Sequence, residues 1–364
     1  MTGFLIELII LVLGFGAAIL LFWRIPRLPD GRKAENQRIS IIIPARNEAL
    51  TLPLLLGDLA RQNLIPFETI VVNDASEDET AAIARSFDAM VLDLRDKPEG
   101  WVGKSWACQQ GAQAAKGDVL LFLDADVRLG PDGLSRLAAA YAAHGALSVQ
   151  PYHNTQKIYE QGSLIFNLVQ IAANGSALPR PVDLGLYGPV VAISRADYFA
   201  AGGHESVKSA VVEDLALAAC LRRANIPFRI FVGDGEVSFR MYPAGFRSLW
   251  QGFTKNMATG AAKTPAGLFL LVVLFLASLT SAPLHLILSL ARGEPLALLY
   301  GALYAFWVLA LFLVGRRIGR YRPLAVLFYP LPLLVFFGVF LHSGLLRLFH
   351  GKVMWKGRAI PLER

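Results

Sequence analysis

The distribution of hydrophobic and polar residues divides the chain into a polar middle and two apolar ends. A helix needs about 20 apolar residues to cross a bilayer, and four nearly uncharged stretches approach or exceed that length. They are Phe4–Trp23, Pro265–Leu290, Leu296–Gly315 and Pro323–Leu346. The pattern predicts an N-terminal transmembrane anchor over residues 1–24, a globular domain over 38–260, a membrane region over 265–346 and a basic tail over 347–364.

Basic residues beside the apolar stretches indicate the orientation of the chain. The first stretch lacks the basic start and the small-residue cleavage site of a signal peptide, so we expect a retained anchor. The basic residues that follow it are Arg24, Arg27, Arg32, Lys33 and Arg38. Because positively charged flanks stay on the cytoplasmic side, we expect a multi-pass protein of the plasma membrane whose globular domain faces the cytoplasm.

The last apolar stretch has two possible topologies. Basic clusters lie on both sides of it, in residues 316–322 and 347–358, and a single crossing cannot place both in the cytoplasm. Pro330 and Pro332 interrupt the stretch, and a proline inside a helix removes a backbone hydrogen bond. We therefore interpret this stretch as a third crossing, as a re-entrant segment or as a segment that lies along the interface, and we expect the tail to be cytoplasmic.

The polar middle alternates between strand-like and helix-like segments. In order, they are the strand Arg38–Ile43, the helix Glu48–Gln62, the strand Phe67–Val72, the helix Asp78–Ser86, the strand Met90–Leu94, the helix Ser105–Ala115 and the strand Val119–Leu123. Such alternation predicts an α/β domain with a parallel sheet and helices on both faces. Ligands bind beyond the carboxyl ends of the strands in such sheets, and polar clusters follow three of these strands.

The fourth strand ends in two closely spaced carboxylates. The segment VLLFLDADVR runs from five apolar residues into Asp124 and Asp126. Two like charges held so close repel each other unless a cation lies between them. Oxygen ligands suit Mg²⁺ or Mn²⁺, and either ion could also hold the diphosphate of a nucleotide. The segment therefore predicts a divalent metal site.

Other classes of nucleotide-binding and redox protein lack their sequence signals. The turn after the first strand, PARNEA, contains no glycine, so it is neither a dinucleotide-binding turn nor a phosphate-binding P-loop. Cys108 and Cys220 have no metal-site spacing and are expected to be buried, reduced thiols. The net charge of +7 is attributed to clusters beside the membrane, and no nucleic-acid module is evident.

Four motifs in the polar middle resemble those of a known enzyme family. The segments ISIIIPARNEA, IVVNDASEDET, GKSWACQQGAQAAKGDVLLFLDADV and VVEDLALAACLRR occur in this order. They look like the successive motifs of family 2 inverting glycosyltransferases, which have a GT-A-type fold. The resemblance covers residues 38–260. It implies a Rossmann-like, mixed but mainly parallel sheet with flanking helices, a nucleotide-sugar donor and a divalent metal.

The resemblance also implies roles for particular residues. It implies that the donor is bound by Pro44, Ala45, Glu48, Asp74, Lys104 and Asp124. It also implies that the metal is bound by Asp126 together with Asp124. Asp214 would be the general base that takes the proton from the acceptor. Acceptor contacts fall to His204, Glu213, Trp250 and Lys255.

Purely structural interpretations of several residues stay open beside these roles. Asp74 could form an Asx turn, His204 could be a packing residue, and Glu213 and Asp214 could stabilise the start of a helix by its dipole. The apolar segment Leu164–Ala173 could be an interfacial helix that guides an apolar acceptor, or an ordinary core helix.

A narrower resemblance concerns the acceptor. The segments GWVGKSWACQQGA, GGHESVKSAVVEDLALA, RMYPAGF and WKGR resemble membrane enzymes that glycosylate carotenoid or hopanoid-type lipids. The Q-x-x-R-W motif of processive synthases is absent from residues 248–256, which favours a single transfer, with a UDP-hexose as the expected donor. A polyprenyl phosphate or glycerolipid acceptor, a processive synthase, a nucleotidyltransferase and a non-catalytic scaffold are the alternatives.

Overall fold

The structure is a computed structural model that describes residues 2–31, 37–210, 212–349, 352–355 and 358–361. Three basic residues used to infer topology, Arg32, Lys33 and Lys356, lie outside the described residues. The predicted basic tail is described in part, as a short antiparallel hairpin.

Helices and strands alternate through the middle of the chain, and long helices lie at both ends. The helices are α1 Thr2–Leu21, α2 Leu52–Leu59, α3 Thr80–Ser86, α4 Gly103–Ala114, α5 Gly133–His144, α6 Leu164–Asn174, α7 Arg195–Ala200, α8 Glu213–Arg223, α9 Phe246–Lys263, α10 Ala266–Arg292, α11 Ala297–Ile318, α12 Pro323–Leu327 and α13 Pro330–Phe349. The strands are β1 Ile39–Ala45, β2 Glu68–Asp74, β3 Met90–Leu94, β4 Val119–Leu123, β5 Val127–Leu129, β6 Ala146–Gln150, β7 Tyr152–His153, β8 Val190–Ser194, β9 Phe228–Val232, β10 Val237–Phe239, β11 Lys352–Trp355 and β12 Arg358–Pro361.

Seven strands form the main sheet, in the order β3-β2-β1-β4-β8-β6-β9. Strand β8 runs antiparallel to both of its neighbours, β4 and β6, and the other neighbouring pairs are parallel. Ala45 of β1 is in register with Asn73 of β2, so these two strands end at the same level. The predicted mixed, mainly parallel sheet is confirmed, and its strand ends meet at one edge.

The predicted strands and helices of the first half are present with shifted boundaries. Strand β1 continues to Ala45, and α2 is much shorter than the expected helix Glu48–Gln62. Pro53 lies in the first turn of α2, where a proline is tolerated because that turn has no partner for its N–H. The chain before it forms a turn, in which the N–H of Leu52 donates to the carbonyl of Glu48 at 2.9 Å.

Three described helices are long and apolar enough to cross a membrane: α10, α11 and α13. The stretch Pro323–Leu346 divides into the short α12 and the long α13. Pro330 and Pro332 therefore lie in the first turn of α13 and not in the middle of a helix, where they cost little. The helix that follows them is long enough for a full crossing.

Helix α1 packs against α10, with Gly14 of α1 touching Ser278. Glu7, the only charged residue of the first apolar stretch, is paired within the helices. Its Oε2 accepts a hydrogen bond of 2.7 Å from Tyr300 of α11, and its Oε1 lies 2.8 Å from Nδ1 of His285. Polar side chains inside apolar helices are retained when partners satisfy them. The described apolar part of α1 is Glu7–Leu21, and its crossing of a membrane stays a prediction.

Helix α6 is buried on most of its sides, which supports the core-helix interpretation of Leu164–Ala173 over that of an exposed interfacial helix. Leu164, Phe166 and Ile171 are fully buried in a cluster that also contains residues of α10, α11 and α13. The Phe166 ring stacks on Phe253 of α9 at a centroid distance of 4.0 Å. Helix α6 therefore joins the α/β domain to the long C-terminal helices.

The two cysteines are buried and unpaired, as expected from the sequence. Burial raises the pKa of the Cys108 thiol, so it stays protonated and unreactive at neutral pH.

Candidate active site

A cavity of about 420 Å³ lies beyond the carboxyl ends of β1, β2 and β4. Ten of the twelve residues for which the sequence predicted a role line its wall. They are Pro44, Ala45, Glu48, Asp74, Lys104, Asp124, Asp126, Glu213, Asp214 and Lys255. Residues separated by more than 200 positions thus meet at one edge of the sheet, as the topology requires.

Two polar loops shape one wall of this cavity. After β1, the Nη1 atom of Arg46 donates hydrogen bonds to the carbonyl oxygens of Asp74 and Ala75, at 2.8 and 3.1 Å. The turn after β2 is closed by Asn73, whose Oδ1 accepts from the N–H of Ser76 at 3.1 Å. Asp74 is buried and lines the cavity, and its contact with a ligand stays a prediction.

Lys104 links two acidic residues from different elements. Its Nζ lies 2.7 Å from Oδ1 of Asp124 and 3.4 Å from Oε1 of Glu213. Burial alone would lower the pKa of Lys104, but these two carboxylates raise it well above its usual value. Burial acts to raise the pKa of Glu213, and Lys104 with Lys255 lowers it overall. Lys104 and Glu213 therefore both stay charged at neutral pH.

Asp214 lies in the first turn of α8 and is held by backbone donors. The N–H of Gly188 donates to its Oδ2 at 3.2 Å, and the N–H of Leu215 donates to its Oδ1 at 2.8 Å. Burial and the charge of Glu213 raise the pKa of Asp214 to about 6. A carboxylate with a pKa near neutrality is suited to accept a proton during a reaction.

The acidic residues after β4 fit one kind of metal site. Asp124 and Asp126 contribute two carboxylates to the same cavity. Among the described residues, no group of three or more His, Cys, Asp or Glu side chains is placed to hold a metal ion. Mg²⁺ and Mn²⁺ are often held by one or two carboxylates together with substrate phosphates and water. The donor set fits such an ion and does not fit a structural metal enclosed by protein ligands.

Tyr242 is a cavity residue to which the sequence analysis gave no role in the site. Its φ of 56° is in the left-handed region, where non-glycine residues are uncommon and often functional. Burial, with the charges of Asp126 and Asp124, raises the pKa of its hydroxyl. A Cβ on Gly252 of α9 would lie 2.3 Å from the Tyr242 ring. The segment RMYPAGF was the sequence signal that could have pointed to Tyr242. Only the fold shows that Gly252, which has no side chain, leaves room for the Tyr242 ring.

Two predicted acceptor contacts lie away from the cavity. His204 is buried, with its Nδ1 2.9 Å from the Tyr198 hydroxyl and its ring 5.4 Å from Phe122. Burial lowers the pKa of His204 to about 4, so it is a neutral packing residue. Trp250 donates a hydrogen bond of 2.9 Å to Nδ1 of His342 and thereby joins α9 to α13. The structure assigns both residues to packing and not to the cavity wall.

The motifs and fold of this chain match those of known sugar transferases. Residues 40–188 match the family model described as glycosyl transferase family 2. The chain is 36% identical, over 90% of its own length and 90% of the relative, to 4,4'-diaponeurosporenoate glycosyltransferase of Staphylococcus aureus strain USA300. The same identity and coverage are found for the protein of that name in strain MRSA252.

The chain belongs to glycosyl transferase family 2. It is therefore a glycosyltransferase, which removes the nucleotidyltransferase alternative. Among solved structures, it is similar to the mannosyltransferase PcManGT of Pyrobaculum calidifontis, solved with GDP-Man and Mn²⁺. The identity is 18%, the TM-score is 0.53, and the match covers 94% of this chain and 99% of that one. This likeness supports the predicted GT-A-type fold.

Proposed function

We propose that this protein is an inverting glycosyltransferase that moves a single sugar from a nucleotide-sugar, a UDP-hexose, to a lipid acceptor of the carotenoid or hopanoid type. The observation that carries this proposal is the position of Asp214. Its carboxylate, whose pKa is raised to about 6, faces the cavity that also contains Asp124 and Asp126. The reaction takes place at the plasma membrane, with the α/β domain in the cytoplasm.

In this proposal the loops after β1 and β2 hold the nucleoside. Pro44, Ala45 and Glu48 line one side of the cavity, and Asp74 lines it from the end of β2. Asp74 contacts the base and ribose, and Lys104 lies near the phosphates. Asp124 and Asp126 would hold Mg²⁺ or Mn²⁺, which when bound neutralises the charge of the leaving diphosphate.

Asp214 acts as the general base for a hydroxyl acceptor. It removes the proton from the acceptor hydroxyl, whose oxygen forms a bond to the anomeric carbon of the sugar. The bond from that carbon to the diphosphate breaks on the opposite face, so the configuration inverts and a nucleoside diphosphate leaves. The N–H groups of Gly188 and Leu215 keep the carboxylate oriented. General-base catalysis of this kind contributes about 10²–10⁴-fold in rate.

The lipid acceptor follows from the relatives and the long apolar helices. The relatives of 36% identity are named for diaponeurosporenoate, an apolar carotenoid with a carboxyl group. Three helices of this chain are long and apolar enough to cross a membrane, so the cavity would meet acceptors at a bilayer. Trp250, where a processive synthase would carry its Q-x-x-R-W motif, packs onto His342 instead, which favours a single transfer.

The proposal is tested with purified full-length protein in nanodiscs. Labelled UDP-glucose, Mn²⁺ and total membrane lipid are incubated with the wild type and with Asp214→Asn. We expect label in an organic-extractable product with the wild type and very little with the variant. The matched control is Asp118→Asn, because Asp118 is exposed and outside the cavity. Failure of the wild type to bind any sugar nucleotide with metal present would overturn the proposal.

A further inference from the structure

A second cavity of about 420 Å³ lies among the helices α6, α9, α10 and α13. We call it the helix cavity. Most of its wall is apolar, with phenylalanine side chains from α10 and α13 that include Phe269, Phe336 and Phe340. Two of its helices, α10 and α13, are long and apolar enough to cross a membrane. Neither the family match nor the names of the relatives assign a role to this space.

The helix cavity adjoins the polar cavity at the proposed base. Four residues line both spaces: Gln170, Tyr187, Val212 and Asp214. Asp214 therefore borders the donor site and the helix cavity at once. An acceptor whose reacting oxygen must reach Asp214 can approach through this shared wall.

Polarity changes along the helix cavity. The shared wall contributes the amide of Gln170, the hydroxyl of Tyr187 and the carboxylate of Asp214. The α10 and α13 walls contribute aromatic and aliphatic side chains. Such a gradient matches a molecule with one polar end and a long apolar body, because burying apolar area is favourable and burying unpaired polar atoms is costly.

The apolar end of the helix cavity reaches the surface of the molecule. Phe269 and Val273, both on α10, line the cavity and are each 42% exposed. In a bilayer this face of α10 would contact lipid chains. A lipid could therefore enter from the hydrocarbon phase without crossing the polar donor site.

We propose that the helix cavity binds the apolar chain of the acceptor, with the acceptor's reacting oxygen at Asp214 and its far end against α10 and α13. This inference rests on the proposed function and specifies the class of acceptor. Among the described residues that line this cavity, Asp214 is the one charged side chain. A phosphate monoester carries about −1.5 to −2 charges at pH 7, more than the single charge of a carboxylate, and the described residues that line the helix cavity include no cation to balance it. The acceptor therefore reacts through a hydroxyl or carboxyl group.

Gly260 of α9 offers a way to fill the helix cavity. It lines the cavity, and a Cβ placed on it would meet no atom within 4 Å. The substitution Gly260→Leu therefore puts a side chain into open space. The matched control is Gly344→Leu on α13, since a Cβ at Gly344 also meets no atom within 4 Å but Gly344 does not line the cavity.

The test compares acceptors of different chain length in nanodiscs. The probes are octadecanol, the soluble alcohol butanol and a polyprenyl phosphate, each with labelled UDP-glucose and Mn²⁺. We expect Gly260→Leu to lower the octadecanol-to-butanol ratio of transfer rates by about tenfold or more, because each excluded methylene removes roughly a fourfold contribution to affinity. Gly344→Leu should keep the wild-type ratio. An unchanged ratio in Gly260→Leu, or efficient transfer to the polyprenyl phosphate, would overturn the inference.

A measurement on the wild type covers the case in which Gly260→Leu does not fold. Octadecanol carrying a diazirine at its methyl end is bound and photolysed, and the labelled peptides are identified. Labels on α10 or α13 near Phe269 or Phe340 support the inference, and labels confined to other parts of the chain overturn it. If the wild type binds sugar nucleotide but transfers to none of these alcohols or natural lipids, the proposed function fails instead.

Discussion

The two cavities have the same volume, about 420 Å³ each, but they are built differently. The polar cavity is formed by loops at strand ends, where charged side chains from distant parts of the chain converge. The helix cavity is formed by the sides of helices, two of which, α10 and α13, are long and apolar enough to cross a membrane. Asp214 borders both. The comparison shows that one carboxylate lies where a polar donor and an apolar acceptor can meet.

The largest effect is expected from loss of the metal site. Asp126→Asn should lower the rate of sugar transfer by about 10³-fold or more, because charge neutralisation by a bound metal lowers the activation barrier by several kcal/mol. Chelation of metal from the wild type should do the same. Titration of UDP binding in the presence and absence of Mn²⁺ provides a readout besides activity. Metal-dependent binding that survives in Asp126→Asn would contradict the assignment, and Asp118→Asn is the control.

The second-largest effect is the loss of activity in Asp214→Asn, which should differ between hydroxyl and carboxyl acceptors. With a hydroxyl acceptor, Asp214→Asn should lower kcat by about 10²–10⁴-fold, because the amide cannot accept the proton. A carboxylic acid is already ionised at pH 7, so the same variant should lose much less activity with it. Rates for an alcohol and for a fatty acid, measured side by side with donor binding unchanged, test this. Equal losses for both would show that Asp214 acts by positioning and not as a base.

The pH dependence of the reaction tests the charge environment of Asp214. Its ionised form is the active one and its pKa is raised to about 6, so transfer to an alcohol should fall about tenfold per pH unit below 6. Since the charge of Glu213 helps to raise this pKa, Glu213→Gln should move the acid limb to lower pH. An acid limb at the ordinary pKa of aspartate in the wild type would contradict the inferred environment.

The smallest expected effects are changes in protein stability at two glycines of α9. Gly252 lines the polar cavity and Gly260 lines the helix cavity. Gly252→Ala should destabilise the protein by about 1–3 kcal/mol, because its Cβ meets the Tyr242 ring at 2.3 Å. Gly260→Ala should stabilise it by about 0.5–1 kcal/mol, because a Cβ there meets no atom within 4 Å and alanine favours helix. Thermal unfolding in detergent measures both. Changes of the same sign in the unfolding temperature of the two variants would show that Gly252 and Gly260 do not differ in the space around them.

The sequence was sufficient to predict most of the polar cavity. Asp124 and Asp126 directly follow a continuous apolar strand, and Asp74 follows another. Parallel strands end at one edge, so their positions in the chain imply their proximity in space. Lys104 and Asp214 came from the family resemblance, and the structure places both at the same edge.

The sequence did not predict the residues whose role depends on what packs against them. His204 follows two glycines and resembles a loop residue, yet it is buried beneath Tyr198. Trp250 occurs where an acceptor contact was expected, yet it packs onto α13. Gly188 carried no signal of its own, although its N–H holds Asp214. Tyr242 lies in the segment RMYPAGF, which the sequence analysis used only for the resemblance, although it lines the donor cavity.

The sequence by itself determined the α/β fold class, the apolar C-terminal stretches and the set of acidic residues at the strand ends. These follow from periodicity and from the cost of placing like charges together, both of which act over a few residues or along one sheet edge. The tertiary structure alone decided the pKa of Asp214, the packing of α6 and the presence of the helix cavity. Each of these depends on side chains from separate helices meeting in space, and an apolar helix has the same composition whether it faces lipid, a core or a cavity.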